Sequence, residues 1–505
     1  MSRVVESDTS ASPDAQASTA AATQRTFFGH PRGLATLFFT EMWERFTYYG
    51  IQSILILFLV AASGRGGLGF DDQSASAIWG LYLGGTYLLS LLGGWVADQL
   101  TGGRVALAAG GVLITIGNTM LASGGERLFF LGLGCNVLGV GLLKPNASNT
   151  VGELYPEGGS RRDAGFSIFY VGINVGSFLA PIFVPIVARN YGWHAGFALP
   201  AIGMLLGVAQ FLATRHYLGS AGRAPAKTRP GAWLALWIIV AVICVLAALL
   251  LSGTVRVNPV TLASRVSWAV GLLLAGNLLY MAFFGGLTPA ERSRVFAMMT
   301  LFAASTVFWM AYMQIFGSLT LFAARYTDLD VFGWQVPAGD LQTFPPVYII
   351  LLAPVFAALW VGLGKRDRDL SSPAKFAWGL LLMAAGMLVM YLAALRVLHG
   401  ILVSPLWLIT AYFVIACGEL CLSPVGLSAT TKLAPARFAA QTMGLFFLTL
   451  ALGSFLAGLL SGDYNAQHLE TLPALYLKLF WWTAAGGAVM LLLTPPVKRL
   501  MAGAR

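Results

Sequence analysis

Five charged residues stand in runs that are otherwise apolar. Glu41, Glu44 and Arg45 fall in FFTEMWERFTYYG (38–50), Lys144 in GLLKPNAS (141–148) and Glu419 in GELCLSPVGLS (418–428). A charge at the centre of a bilayer costs about 2.5–3.5 kcal/mol on insertion scales. Three acids against two bases leave a net −1 if all ionise, and a buried carboxylate without a partner takes up a proton instead. The set therefore reads as a proton store near neutral pH. Residues three and four apart share a helix face, which lines Glu41 up with Glu44 and Arg45. Gly141, Lys144, Asn146 and Asn149 form a polar stretch beside Pro145, and Asn174 and Gly176 form another. Glu419 precedes Pro424 by five residues, close to where a helix can open. An ion-pair network that only ties helices together is the plainer alternative, but intramembrane ionisable groups are more often functional. Tyr48, Tyr49 and Tyr82 suit packing and ligand contact equally well.

Positioning such residues requires membrane-spanning helices. Of 505 residues, 57% are hydrophobic and 10% charged, with mean hydropathy +0.74. Soluble domains carry about 25% charged residues. Some fourteen apolar runs near the length that crosses a bilayer as helix are readable: 34–62, 76–98, 104–122, 128–149, 164–188, 196–214, 231–252, 267–287, 295–322, 342–363, 374–394, 404–431, 440–460 and 473–495. They are continuous rather than alternating, which excludes a β-barrel. With the N-terminus inside, 21 of the 31 Lys and Arg residues fall on the inner side, 8 outside and two within the core. This bias puts both termini in the cytoplasm, with the protein in the inner membrane of the cell. It also accounts for the net charge of +10, so nucleic-acid binding is not implied. Cys135, Cys244, Cys417 and Cys421 all lie in apolar runs and read as small buried packing residues. No two of the five histidines stand at metal-ligand spacing. No nucleophile–base constellation points to an enzyme, and no metal or other cofactor is implied.

The chain echoes itself. GSFLA occurs at 176–180 and at 453–457, an offset of 277, and Pro145 and Pro424 stand 279 apart. Two echoes at nearly one offset indicate duplication, and repeated halves with kinked helices at matching positions point to a transporter site between them. The expected fold is an all-α membrane protein of two six-helix bundles plus two inserted helices. Residues 1–26 read as a disordered tail, 27–218 as the N-terminal bundle, 219–293 as a linker with the two extra helices, and 294–505 as the C-terminal bundle.

GWVADQLTGGR (94–104) resembles the signature loop of the major facilitator superfamily, which assigns Asp98 and Arg104 a gating and structural role. EMWERFTYYG (41–50) resembles the E-x-x-E-R-F-x-Y-Y-G motif of the proton-coupled oligopeptide transporter family. GLLKPN (141–146), FYVGINVGSFLAP (169–181) and GELCLSPVGLSATTKLAP (418–435) resemble its other signatures. The resemblance spans the chain and implies uptake of di- and tripeptides driven by protons. It gives the peptide carboxylate to Arg45 and Lys144 and the ammonium group to Glu419. Tyr48, Tyr49, Tyr82, Asn174 and Ser423 join the substrate site. Glu41 and Glu44 carry the proton, in a coupling set shared with Arg45, Lys144 and Glu419.

Three departures stand out. Many relatives place an Arg where this chain has Gln52, and an acid in the seventh core helix where FWMAYMQIFGSL offers Met313 and Gln314. Those residues pair as an outer gate in relatives, so that gate is expected to be non-ionic here. Pro345 stands where several relatives have a polar pocket residue. Two other readings compete: the same fold carrying nitrate or another small anion, and a relative that binds peptide without transporting it. The set of Arg45, Lys144 and Glu419 favours a zwitterion.

Overall fold

A computed structural model describes residues 26–501, apart from 158, 226–227, 256, 332, 367–369 and 464–468. The segment expected to be a tail lies outside the described residues up to position 25. Fifteen helices follow in order: α1 (Arg32–Val60), α2 (Asp72–Val96), α3 (Gly103–Ser123), α4 (Glu126–Glu153), α5 (Gly159–Tyr191), α6 (Trp193–Thr214), α7 (Ala232–Leu251), α8 (Pro259–Phe284), α9 (Pro289–Tyr312), α10 (Ser318–Tyr326), α11 (Phe344–Lys365), α12 (Ser372–Val397), α13 (Leu406–Leu433), α14 (Ala439–Ser461) and α15 (Thr471–Leu500). Thirteen spans meet the length and hydropathy of a membrane crossing among the described residues. The fourteenth is α1, 29 residues long and carrying Glu41, Glu44 and Arg45. Helices satisfy their own backbone hydrogen bonds, which lipid cannot.

The run expected at 295–322 is two helices in one crossing. α9 ends in a tight turn at Met313–Ile315, and α10 begins at Ser318. The break accommodates Gly317, where an added Cβ would lie 2.7 Å from Ser461 Oγ and 3.1 Å from the Trp79 ring. Pro145 and Pro424, by contrast, lie inside continuous helices.

The GSFLA echo has a structural counterpart. Gly176 on α5 packs so closely on α1 that a Cβ would stand 2.2 Å from the Met42 carbonyl and 2.9 Å from Arg45 Cβ. Gly453 on α14 packs on α9 in the same way, with a Cβ 2.7 Å from Trp309 Cβ. The halves also meet through α2 and α14, where Gly80 and Gly458 face each other at 2.7 Å for an added Cβ. Small residues at such crossings permit the backbone approach that drives helix association in lipid. α8 lies against α2 and α14, whereas the apolar window of α7 is not buried at all. Cys244 on α7 is accordingly exposed, Cys135 and Cys417 are half-buried, and of the four only Cys421 is buried. All four thiols are free.

At the end of the molecule opposite the termini, the halves are tied together. Arg325 on α10 forms a bidentate ion pair with Asp72 on α2, at 2.7 and 2.9 Å. A short hairpin of β1 (Asp330–Val331) and β2 (Trp334–Gln335) follows, and Arg189 on α5 donates to the Gln335 carbonyl. Asp71 caps α2 by accepting from the Ser74 N–H at 2.8 Å. Partial burial opposes its charge, but the Ser74 hydrogen bonds outweigh that and hold the carboxyl below its ordinary value. At the end carrying the termini, Ser148 and Asn149 on α4, Tyr170 and Val171 on α5, and Leu427 and Ser428 on α13 are all exposed. A cavity of 480 Å³ opens there, lined by Ser148, Asn149, Gly152, Glu153, Arg162 and Phe166.

Candidate functional site

The one-turn spacing in α1 brings its three charges together. Arg45 Nε is paired with Glu41 at 3.3 Å and donates to Glu44. All three residues are at most 4% exposed. Pairing is incomplete, because Glu41 Oε2, Glu44 Oε1 and Arg45 Nη2 are buried without a hydrogen-bond partner. Two acids on one base is an arrangement that protonation of either acid relaxes. One guanidinium nitrogen remains free for an incoming acceptor.

Lys144 projects from α4 toward the same space and makes no ion pair among the described residues. Its ammonium group sits 4.0 Å from the Tyr87 ring centroid and 5.9 Å from that of Tyr48, and Arg45 lies 4.9 Å from Tyr48. Two cations thus share an aromatic wall from α1 and α2. Aromatic faces hold cations without neutralising them, which leaves Lys144 able to take a carboxylate. Tyr82 is 3% exposed with a free hydroxyl, and Tyr49 is half-buried, its ring edge-on to that of Tyr48 with centroids 5.3 Å apart.

Glu419 faces this wall from α13. Its Oε2 is buried without a partner, as is the Ser423 hydroxyl one turn on. Tyr312, Tyr49 and Tyr170 are the tyrosines around it, with the Tyr312 hydroxyl within hydrogen-bonding reach. Lys144 and Glu419 form no ion pair with each other among the described residues. Asn174 directs its amide at the Tyr170 carbonyl, at 2.8 Å.

Gln52 and Gln314 form no hydrogen bond with each other among the described residues. Gln52 accepts a hydrogen bond from the Trp79 indole at 2.9 Å. Gln314 accepts from Ser318 at 2.6 Å and Ser461 at 2.7 Å and donates to the Ala457 carbonyl at 3.2 Å, while Met313 is 2% exposed in the core. Gln52, Met313 and Gln314 bring no charge to this region, while the far end carries an ionic tie at Asp72 and Arg325. Asp98 and Arg104 do not pair with each other. Asp98 is exposed, and Arg104 binds the carbonyls of Ala221 and Gly219, each at 2.6 Å. Arg104 thus ties the start of α3 to the carbonyls of the loop after α6 without an acid.

Three site residues escaped the sequence reading: Tyr87, Tyr170 and Tyr312. Tyr170 stands four residues before Asn174, on the same helix face, and Tyr312 directly precedes Met313. Of these two, Tyr170 was within reach of the spacing rule. Tyr87 belongs to an α2 stretch with Thr86 and Ser90, a weak polar signal in an apolar helix. No cluster of three or more His, Cys, Asp or Glu residues that could hold a metal occurs among the described residues.

A helical, two-halved membrane protein with opposed charges in its central crevice is a solute transporter in form. The chain belongs to the POT family, whose sequence profile (PTR2) matches residues 104–473. It is 41% identical over 492 residues to the peptide transporter YePEPT of Yersinia enterocolitica, covering 94% of this chain and 96% of that one. It is 38% identical to a di-/tripeptide transporter of Lactococcus lactis, covering 84% and 88%. A crystal structure of a POT peptide transporter variant in complex with alafosfalin matches with a TM-score of 0.88 at 43% identity, covering 97% of this chain and 99% of that one.

Proposed function

We propose that the protein imports di- and tripeptides by proton-coupled symport through alternating access. The observation that carries this reading is the division of charge across the crevice. Arg45 and Lys144 stand on one wall and Glu419 on the other, each with unused hydrogen-bonding capacity. A zwitterionic peptide needs a base for one end and an acid for the other. Arg45, Lys144, Tyr48, Tyr49, Tyr82 and Asn174 serve the carboxylate and backbone, and Glu419 and Ser423 the amino end. The division of the chain at 27–218, 219–293 and 294–505 agrees with the repeated glycine packing of the two halves. The Lys and Arg bias supports an inner-membrane protein with cytoplasmic termini. On that reading the exposed helix faces and the cavity open to the cytoplasm, and the far end is the closed outer side.

Coupling follows from Arg45 and its two carboxylates. A proton on Glu41 or Glu44 loosens the hold on Arg45, and the guanidinium can then bind a carboxylate with two parallel hydrogen bonds. When proton and peptide leave on the inner side, the original pairs re-form. A membrane potential adds about 2.3 kcal/mol per charge per 100 mV. Glu44→Gln in proteoliposomes should abolish peptide uptake driven by a pH gradient while sparing peptide counterflow. Driven uptake at the wild-type rate would remove Glu44 from coupling.

A further inference from the structure

Asp340 falls in the polar stretch between two apolar runs and by sequence reads as a loop acid. The fold puts it in the closure at the far end. It lies on the tight turn Ala338–Thr343, whose residues Ala338, Gly339, Leu341 and Gln342 are buried. The turn is pressed onto the opposite half, since a Cβ on Gly339 would stand 2.5 Å from the Ser53 carbonyl on α1 and 2.8 Å from Pro185 on α5. Asp340 Oδ1 is buried there with no hydrogen-bond partner.

The charged side chain that acts on Asp340 is Arg189, from α5. Arg189 directs its Nη1 to the Gln335 carbonyl instead, and the two residues form no ion pair among the described residues. The other groups found against the turn are neutral: the Ser53 backbone carbonyl on α1, the Pro185 ring on α5, and the Thr320 hydroxyl on α10, which accepts from Gln342 Nε2 at 2.8 Å. Two further polar atoms of the turn, Gln342 Oε1 and Thr343 Oγ1, are also buried without a partner. An ionised carboxylate fits poorly in such a place, whereas a carboxylic acid brings an O–H donor and no charge.

We infer that Asp340 is a proton-binding site of the outer closure, vacated when the closure opens and the carboxylate is hydrated. Proton uptake from the outside then favours closing the outer side, a step separate from the Arg45 cluster. This rests on the reading above that the far end faces outward and that the halves alternate.

The test measures closure directly, in the full chain in lipid nanodiscs without peptide or gradient. Spin labels are placed on Ser63→Cys and His399→Cys, both exposed at the far end on opposite halves, with the native cysteines replaced by Ala. The wild-type closed fraction should rise as pH falls, with a one-proton midpoint. Asp340→Asn should stay closed at all pH values. Arg189→Gln removes a charge that favours the carboxylate and should move the midpoint up by about one pH unit, whereas Arg189→Lys should leave it in place. Glu44→Gln should keep the wild-type midpoint, so loss of driven uptake in that variant and loss of the midpoint in Asp340→Asn report on different groups. A wild-type midpoint in Asp340→Asn, an unmoved midpoint in Arg189→Gln, or pH-independent closure in the wild type would each overturn the inference. The Arg189 pair keeps the test decisive where Asp340→Asn does not fold.

Discussion

α1 and α9 occupy matching places in the two halves, each crossed by a helix whose glycine belongs to the same GSFLA echo. Against Gly176 stand Met42 and Arg45, with Glu41 and Glu44 beside them, and against Gly453 stand Trp309 and Met310. One half thus puts an acid–base cluster in the packing position, and the other puts an aromatic ring there. Shared backbone geometry is what the two halves hold in common, and charge is what separates them. Four of the five intramembrane charges lie in the N-terminal half, and Glu419 alone represents the C-terminal half. On the reading proposed above, a substrate that touches both walls carries opposite charges at its two ends.

The sharpest way to break this comparison is to remove the single charge of the C-terminal wall. Glu419→Gln should lower kcat/KM for dipeptide uptake by about 10–100-fold, the span of a hydrogen bond to a charged group. Retention within a few-fold would show that the C-terminal wall does not read the ammonium group. On the opposite wall Lys144→Ala should cost less, about 10-fold, because Arg45 remains beside it. That loss should fall on a free dipeptide and not on the same dipeptide amidated at its C-terminus. Equal losses in a competition assay would take Lys144 out of carboxylate binding. The smallest effect belongs to the aromatic support of Lys144. Tyr87→Leu should weaken dipeptide binding by about 3-fold, in line with a cation–π contact, while Tyr87→Phe keeps the ring and stays near wild type. A larger loss in Tyr87→Phe would mean that the hydroxyl, not the ring, acts on the substrate.

Much of this was legible in the sequence because lipid is an unforgiving solvent. Glu41, Glu44, Arg45, Lys144 and Glu419 announce themselves by standing where charge is costly, and helical spacing alone puts Arg45 beside both acids. The tyrosines are harder to read, since Tyr87, Tyr170 and Tyr312 are at home in any apolar helix near an interface. Their function appears only when three different helices turn them toward one space. Asp72, Arg325 and Asp340 are harder still. They lie at run ends, where charges are unremarkable, and only the far-end closure makes two of them a pair across the halves and half-buries the third.

By itself the sequence determined the helical class, the two-halved plan and the charged residues of the core. Those follow from transfer energies and a 3.6-residue period, which are local. The tertiary structure decided which of these groups meet. It set Arg45 between two carboxylates, left Lys144 on an aromatic face with no acid, kept Glu419 apart from it, and closed one end while the other stayed open. Those outcomes depend on how helices distant in the chain are packed, through contacts such as Gly80 on Gly458, and no periodicity within one helix encodes them.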